Sequence, residues 1–320
     1  MTLSKPKTIV VTIPGMIGES DLAPLRAVSD VTYVELPSIS ESDLAARCRG
    51  FDYLMLNMDV VPKTGNLKLT NLFYSHPDTA QLRGIAVDMT GVDYFSPRLA
   101  VERGLLLQNI PHYSSRSVAE SMLAEILLHS RQRHLAYEDQ LQGKKPVARK
   151  GINLAGRTAG IVGYGDIGQT LSGLLRGIGM NVIVWNRSPR AGVTQVALEE
   201  LFERSDVIAL AAKTVTEGPG RNVGMIGSVQ LSRARSAIVV NLANPLLVDT
   251  PAMVQALAAG NVAAYSVESS DRKAFGDDPR VHCPPANAWD SDESMASLRA
   301  TWVSNVLSAI RGKPENAYRE

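Results

Sequence analysis

The sequence predicts an α/β protein made of two parallel-sheet units, and three observations support that expectation. Short β-branched or apolar runs alternate with segments of helical period along almost the whole chain. Such βαβ alternation specifies parallel sheets covered by helices on both faces. The length, 320 residues, accommodates two ordinary domains. An apolar fraction of 45% with 20% charged residues provides for sizeable cores and argues against disorder.

The first unit opens with a strand over 8–13, a helix over 21–28 that Ser20 is expected to cap, and a strand over 31–36. A helix over 41–49 follows, with Ser40 as its cap and Leu44, Ala45 and Cys48 at helical spacing. Further strands are expected at 53–57, 84–89 and 105–108, with a helix over 96–102. At Ser117 the pattern changes to one long helix, 117–131, with Val118, Met122, Leu123, Ile126 and Leu127 along one side. Ser117 followed by Glu120 reads as a capping box. A polar segment, 140–153, leads to a second alternating block at Gly156. Its strands are expected at 158–162, 181–185, 207–212, 237–241 and 262–267, and a helix over 295–310 closes the chain. The expected boundaries are 1–115 with 292–320 for one domain and 116–291 for the other.

Several function classes recede at once. Lys+Arg 33 against Asp+Glu 32 leaves a formal charge of +1, which favours neither a nucleic acid nor an acidic membrane as partner. The two cysteines, Cys48 and Cys283, support neither a disulfide framework nor a multi-cysteine metal site, and suit a reducing cytoplasm. The first residues show no secretion signal, and no apolar run approaches the ~18–20 residues of a membrane span. No metal-ligand spacing appears, so no metal is expected. The expected partner is a small molecule.

The strongest motif is Gly163-Tyr164-Gly165-Asp166-Ile167-Gly168, a GxGxxG run that follows an apolar strand and opens a helix over 169–178. In that setting the first glycine allows the tight turn and the second lets backbone N–H groups approach a pyrophosphate. The third lets helix and strand pack closely, and the helix N-terminus faces the anion. Asp166 is the awkward member, because an acid beside a diphosphate must point to solvent. The second strand ends in Asn186-Arg187-Ser188-Pro189-Arg190, and Asn186 lies 23 residues after Gly163. A site selective for NAD usually places a carboxylate there to accept from the ribose. Asn186 carries no charge, and Arg187, Ser188 and Arg190 donate to a 2′-phosphate. NADP is therefore the expected cofactor, with NAD the alternative.

These blocks, in this order, resemble the D-isomer-specific 2-hydroxyacid dehydrogenase family over nearly the whole chain. Thr90-Gly91-Val92-Asp93 is similar to the family's substrate-side turn. Asn109-Ile110-Pro111 with Ser117-Val118-Ala119-Glu120 resembles its hinge and interdomain helix. Residues 154–168 resemble its cofactor fingerprint, and Val240-Asn241-Leu242 with Val248-Asp249 frame its signature loop. The resemblance implies a flavodoxin-like substrate domain, a Rossmann domain, a cleft between them and a homodimer joined through the Rossmann domains. It also implies reversible hydride transfer between a nicotinamide and a 2-oxo acid, and places Leu242, Ala243, Lys213 and Glu268 beside the cofactor. Lys213 there either contacts a phosphate or reaches solvent.

The family's chemistry uses an arginine for the carboxylate and ketone, a histidine as acid, and a glutamate that orients it. Here the arginine position is Asn244, followed by Pro245. The glutamate position is Asp271, one methylene shorter, and the histidine position is Ala286 in Pro284-Pro285-Ala286-Asn287-Ala288-Trp289. Losing a positioned acid costs ~10²–10⁴-fold in rate, so ordinary 2-oxo-acid reduction is expected to be very slow or absent. Among the remaining histidines, His112 follows the hinge and either supplies a proton or stands by as a hydrogen-bonded neighbour. His129, His134 and His282 are expected to be structural. Asn57 and Asp59 end a strand on the substrate side. Three readings stay open: an NAD(P)H-dependent reductase of a non-standard carbonyl or imine, a regulatory or partner protein that binds NAD(P) without turnover, and a protein that retains a tightly bound cofactor for a non-redox or internally balanced reaction.

Overall fold

A computed structural model of the chain describes residues 4–61, 69–92, 95–145, 150–216, 218–268 and 272–318. The chain divides into two compact units, Met1–Tyr113 with Ser291–Glu320, and Ser114–Asp290.

In the first unit β1 (Lys7–Thr12), β2 (Asp30–Glu35), β3 (Tyr53–Leu56), β4 (Gly84–Val87) and β5 (Leu106–Gln108) form one parallel sheet. Their order is β2-β1-β3-β4-β5, so the winding reverses between β1 and β3. This is the flavodoxin-like doubly wound order. Every residue of β3 and β4 is buried, because a parallel sheet covered on both faces needs continuous apolar strands rather than alternating ones. Leu44, Phe73 and Phe95 pack on one side. Leu22, Leu25, Trp302 and Val306 pack on the other, from the helices Glu19–Arg26 and Asp292–Ile310. Trp302 is fully buried, and its indole Nε1–H donates to the Ala86 carbonyl at 2.8 Å. That bond satisfies the one polar atom of the largest core side chain.

In the second unit β6 (Thr158–Val162), β7 (Asn181–Trp185), β8 (Thr194–Gln195) and β9 (Val207–Leu210) are followed by β10 (Ala237–Asn241), β11 (Val262–Val267) and β12 (Val281–His282). All pairings are parallel, in the order β12-β11-β10-β9-β6-β7-β8. The reversal falls between β6 and β9. This is the Rossmann arrangement, in which ligands bind beyond the carboxyl ends of the strands at the reversal.

Three sequence expectations need correction. Ser20 does not cap the first long helix. That helix starts at Glu19 behind Gly18, and the Asp21 carboxylate reaches back to accept the Gly18 N–H at 2.9 Å. Ser117 does not begin the long helix of the second unit, which runs Ser115–Arg131 behind Ser114. Its expected partner Glu120 instead pairs with Arg116, one helical turn away. The expected polar segment begins inside a helix, Arg133–Leu141, of which only Leu135 is buried. The Ser40 cap is as expected, its hydroxyl accepting the Asp43 N–H at 3.1 Å. Among the described residues no helix is long and apolar enough to cross a membrane.

Candidate active site

The glycine turn sits at the reversal of the second sheet, between the end of β6 and the helix Asp166–Gly177. Gly163 has φ +96°, and a Cβ there would fall 2.5 Å from the Ala212 backbone. Only glycine therefore lets the loops after β6 and β9 meet. A Cβ on Gly168 would strike the Gly163 carbonyl, so the helix can approach the strand only without one. Around Gly165 a Cβ would meet nothing within 4 Å. Asp166 stands exposed at the first helical position. Ile167 is half-buried against the strand layer.

The loop after β7 is tied to this turn. Asn186 Oδ1 accepts the Tyr164 N–H at 3.0 Å, and its Nδ2 donates to the Ser188 carbonyl at 2.9 Å. One end of the amide thus holds the glycine turn and the other its own loop. Arg187 is exposed and donates from Nη2 to the Gly220 carbonyl at 3.0 Å. Gly220 has φ +102°, and a Cβ there would lie 2.9 Å from Arg187 Nη1. The Arg187–Gly220 contact, unseen in the sequence, joins the loops after β7 and β9. Lys213 is exposed, and its carbonyl accepts from Asn222 Nδ2 at 2.8 Å.

The loop after β10 is organised by Asn241. Its Oδ1 accepts the Ala243 and Asn244 N–H groups, both at 3.3 Å, and its Nδ2 donates to the Asn244 carbonyl at 2.9 Å. Leu242 is buried and Ala243 exposed. Asn244 Oδ1 accepts the Leu246 N–H at 2.9 Å, capping the short turn Pro245–Leu247. Glu268, just past β11, accepts the Ala288 N–H at 2.8 Å. Burial pushes its carboxyl upward against that bond and one from the Asn287 N–H. A cavity of about 540 Å³ is walled by Pro245, Glu268, Arg272, Cys283, Pro285 and Ala286. Asp271 lies outside the described residues.

The first unit holds a buried acid that sequence reasoning missed. Asp88 follows β4 and accepts the Met58 N–H at 2.9 Å and a second bond from Asn57 Nδ2. Burial raises its carboxyl to about 6, against those two donors. Asn57 is fully buried and its Oδ1 also accepts the Asp59 N–H at 3.1 Å. His112 is exposed, with φ +66°.

The three histidines expected to be structural, His129, His134 and His282, form a cluster in the second unit. His282 Nδ1 and Glu125 Oε2 are 2.8 Å apart, Ser266 Oγ donates to the same carboxylate at 2.5 Å, and His129 Nε2 lies 2.7 Å from Ser266 Oγ. The His134 ring stands 5.1 Å from that of His129 and 5.9 Å from that of His282. The one sequence signal was Glu125 and His129 at i, i+4 spacing on a single helix. Among the described residues no group of side chains is arranged to hold a metal.

A glycine turn at the reversal of a seven-stranded parallel sheet defines the class as a Rossmann-type dinucleotide-binding protein. The sequence profile described as D-isomer specific 2-hydroxyacid dehydrogenase, NAD binding domain, matches residues 123–285. The glycerate dehydrogenase of Methylorubrum extorquens is 30% identical over 291 residues, covering 86% of this chain and 87% of its own. Two solved structures share the fold. An acyclic imino acid reductase in complex with NADPH and D-arginine has a TM-score of 0.82 at 20% identity, covering 98% of this chain and 100% of its own. A glyoxylate reductase from Paecilomyes thermophila has a TM-score of 0.82 at 21% identity, covering 98% of both chains. This chain belongs to the D-isomer specific 2-hydroxyacid dehydrogenase family of NAD(P)-dependent oxidoreductases.

Proposed function

We propose that this chain is an NADPH-preferring reductase acting on a non-standard carbonyl or imino acid. The observation that carries the reading is the rim beside the glycine turn. It presents the uncharged Asn186 where an NAD-selective site would present an acid, and next to it the Arg187 guanidinium, braced by the Gly220 carbonyl. Gly163, Gly165 and the N-terminus of the helix Asp166–Gly177 suit a pyrophosphate: the turn is open at Gly165, and the positive end of the helix dipole lies beside it. The Tyr164 N–H is already engaged by Asn186, so the phosphate donors would be Gly165, Asp166 and Ile167. Arg187 and Ser188 would hold the 2′-phosphate. Leu242, Ala243, Lys213 and Glu268 would line the rest of the nucleotide. When bound, the reduced nicotinamide supplies the hydride.

On the substrate side Ala286 has no proton to give, and Asn244 cannot neutralise a carboxylate. An imine, once protonated, needs no acid at the acceptor atom and suits such a site better than a ketone. The first unit would be the substrate domain, with Asn57 and Asp59 at its strand ends and His112 as proton donor. Asp271 would stand in for the family's glutamate. We place the protein in the cytoplasm as a homodimer. The substitutions at 244 and 286 equally favour a second reading, a nucleotide-binding regulatory protein without turnover.

Stopped-flow absorbance at the nicotinamide band distinguishes the two. Enzyme and NADPH are mixed with 2-oxo acids alone, or with 2-oxo acids and an amine that forms the imine in situ. The reductase reading predicts oxidation of NADPH that is faster with the amine and slower with NADH. Tight NADPH binding without oxidation under any condition overturns it in favour of the second reading.

A further inference from the structure

Alanine at 286 removes a proton donor and also leaves space. The cavity beside it has walls of Pro245, Pro284, Pro285 and Ala286, and two charged side chains, Glu268 and Arg272, face it. Arg272 opens the short turn Arg272–Phe275. One of its five N–H donors, on Nη1, goes to the Val281 carbonyl at 3.1 Å, which fixes one edge of the guanidinium. Among the described residues no carboxylate pairs with it within ion-pair distance. Its charge is felt along the adjoining wall, where it favours the thiolate of Cys283 and disfavours protonated His282.

A guanidinium held at one edge, with donors left over beside a cavity whose other charged wall residue, Glu268, has its carboxyl raised by burial, is suited to grip a carboxylate through two parallel bonds. Asn244, at the family's arginine position, offers no charge, and its side-chain Oδ1 already accepts the Leu246 N–H. We propose that Arg272 is the carboxylate-binding residue of this chain, reaching the cavity from the segment after β11 in place of the guanidinium absent at 244. The ligand class is a small 2-oxo or 2-imino acid anion whose apolar body lies against Pro245 and Pro285. The choice of this anion class rests on the reductase reading above; the assignment of the cation does not.

The test uses oxamate, an unreactive 2-oxo-acid mimic, with pyruvamide as its uncharged counterpart. Both are titrated calorimetrically into the wild type, Arg272→Met and Arg272→Lys, each with and without saturating NADPH. Arg272→Met should weaken oxamate about 10–100-fold, as expected for a lost charge-assisted pair. Arg272→Lys should recover part of that loss, and pyruvamide and NADPH affinities should be unchanged. A guanidinium that only braces the Val281 carbonyl would shift the melting temperature without this dependence on ligand charge. Oxamate affinity insensitive to Arg272→Met, or no oxamate binding to the wild type, overturns the assignment. Arg272-dependent oxamate binding in a protein that ignores NADPH would overturn the reductase reading and leave the assignment standing.

Discussion

The roles of the first two glycines of the turn can be separated by methyl groups. At Gly165 the backbone is extended, φ −81° and ψ −161°, and an added Cβ meets nothing within 4 Å. Gly165→Ala should therefore fold with a stability within about 0.5 kcal/mol of the parent. A small gain is even expected, since alanine narrows the unfolded ensemble. The new methyl would stand where a pyrophosphate must approach the backbone, so NADPH affinity should fall at least ~10-fold. At Gly163 the situation reverses, because φ is +96° and an added Cβ falls 2.5 Å from Ala212 Cα and N. Left-handed backbone costs about 1–2 kcal/mol for a residue with a Cβ, and overpacking costs about 1–3 kcal/mol more. The sum, roughly 2–5 kcal/mol, corresponds to a melting temperature lowered by roughly 4–20 °C for a unit of this size. Thermal unfolding and NADPH fluorescence titration are run on both variants. Gly165→Ala that binds NADPH like the parent would refute the reasoning, because the open side of the turn would then not face the nucleotide.

Four further outcomes follow from buried polar groups. Hydrogen bonding to Glu125 raises His282 against its burial, while burial raises Glu125 but the His282 and Ser266 bonds outweigh it and leave it lowered. The pair thus contributes fully between the ordinary carboxylate and imidazole values, and its contribution is lost as pH rises through the raised His282 pKa or falls through the lowered Glu125 pKa. Glu125→Gln should flatten that part of the melting profile. His129 acts oppositely: burial and the nearby His134 depress it to about 4, so its contribution is lost as pH falls from the ordinary imidazole value toward about 4. Asp88 should titrate near 6 by carboxyl-carbon NMR, and because its folded pKa is raised, its contribution is lost as pH rises from 3.8 through about 6. Trp302→Phe removes the donor to the Ala86 carbonyl and should cost about 1–3 kcal/mol in urea unfolding.

The interior strands were legible because each is an apolar run bounded by turn residues. Expected and observed ranges coincide for β6, β7, β10 and β11. The strand expected over 207–212 stops at Leu210, because its partner β6 ends at Val162, which pairs with Leu210. The helix Arg133–Leu141 gave no apolar period to read, since Leu135 is its one buried residue. The glycine turn was legible because all its requirements lie within six consecutive residues. Arg187 against Gly220, 33 residues apart, and Glu125 against His282, 157 apart, are brought together by strand order, which local periodicity does not encode. Arg272 escaped notice for the same reason: its meaning depends on a cavity whose walls come from three loops.

Calorimetric titration of ADP-ribose and 2′-phospho-ADP-ribose into the wild-type protein tests the nucleotide site without any dependence on substrate chemistry. The arrangement of the Gly163–Gly168 turn with Arg187 predicts that both ligands bind, the 2′-phosphorylated one at least ~10-fold more tightly through its charge-assisted bonds. Failure of both to bind, or tighter binding of the ligand without the 2′-phosphate, would contradict it.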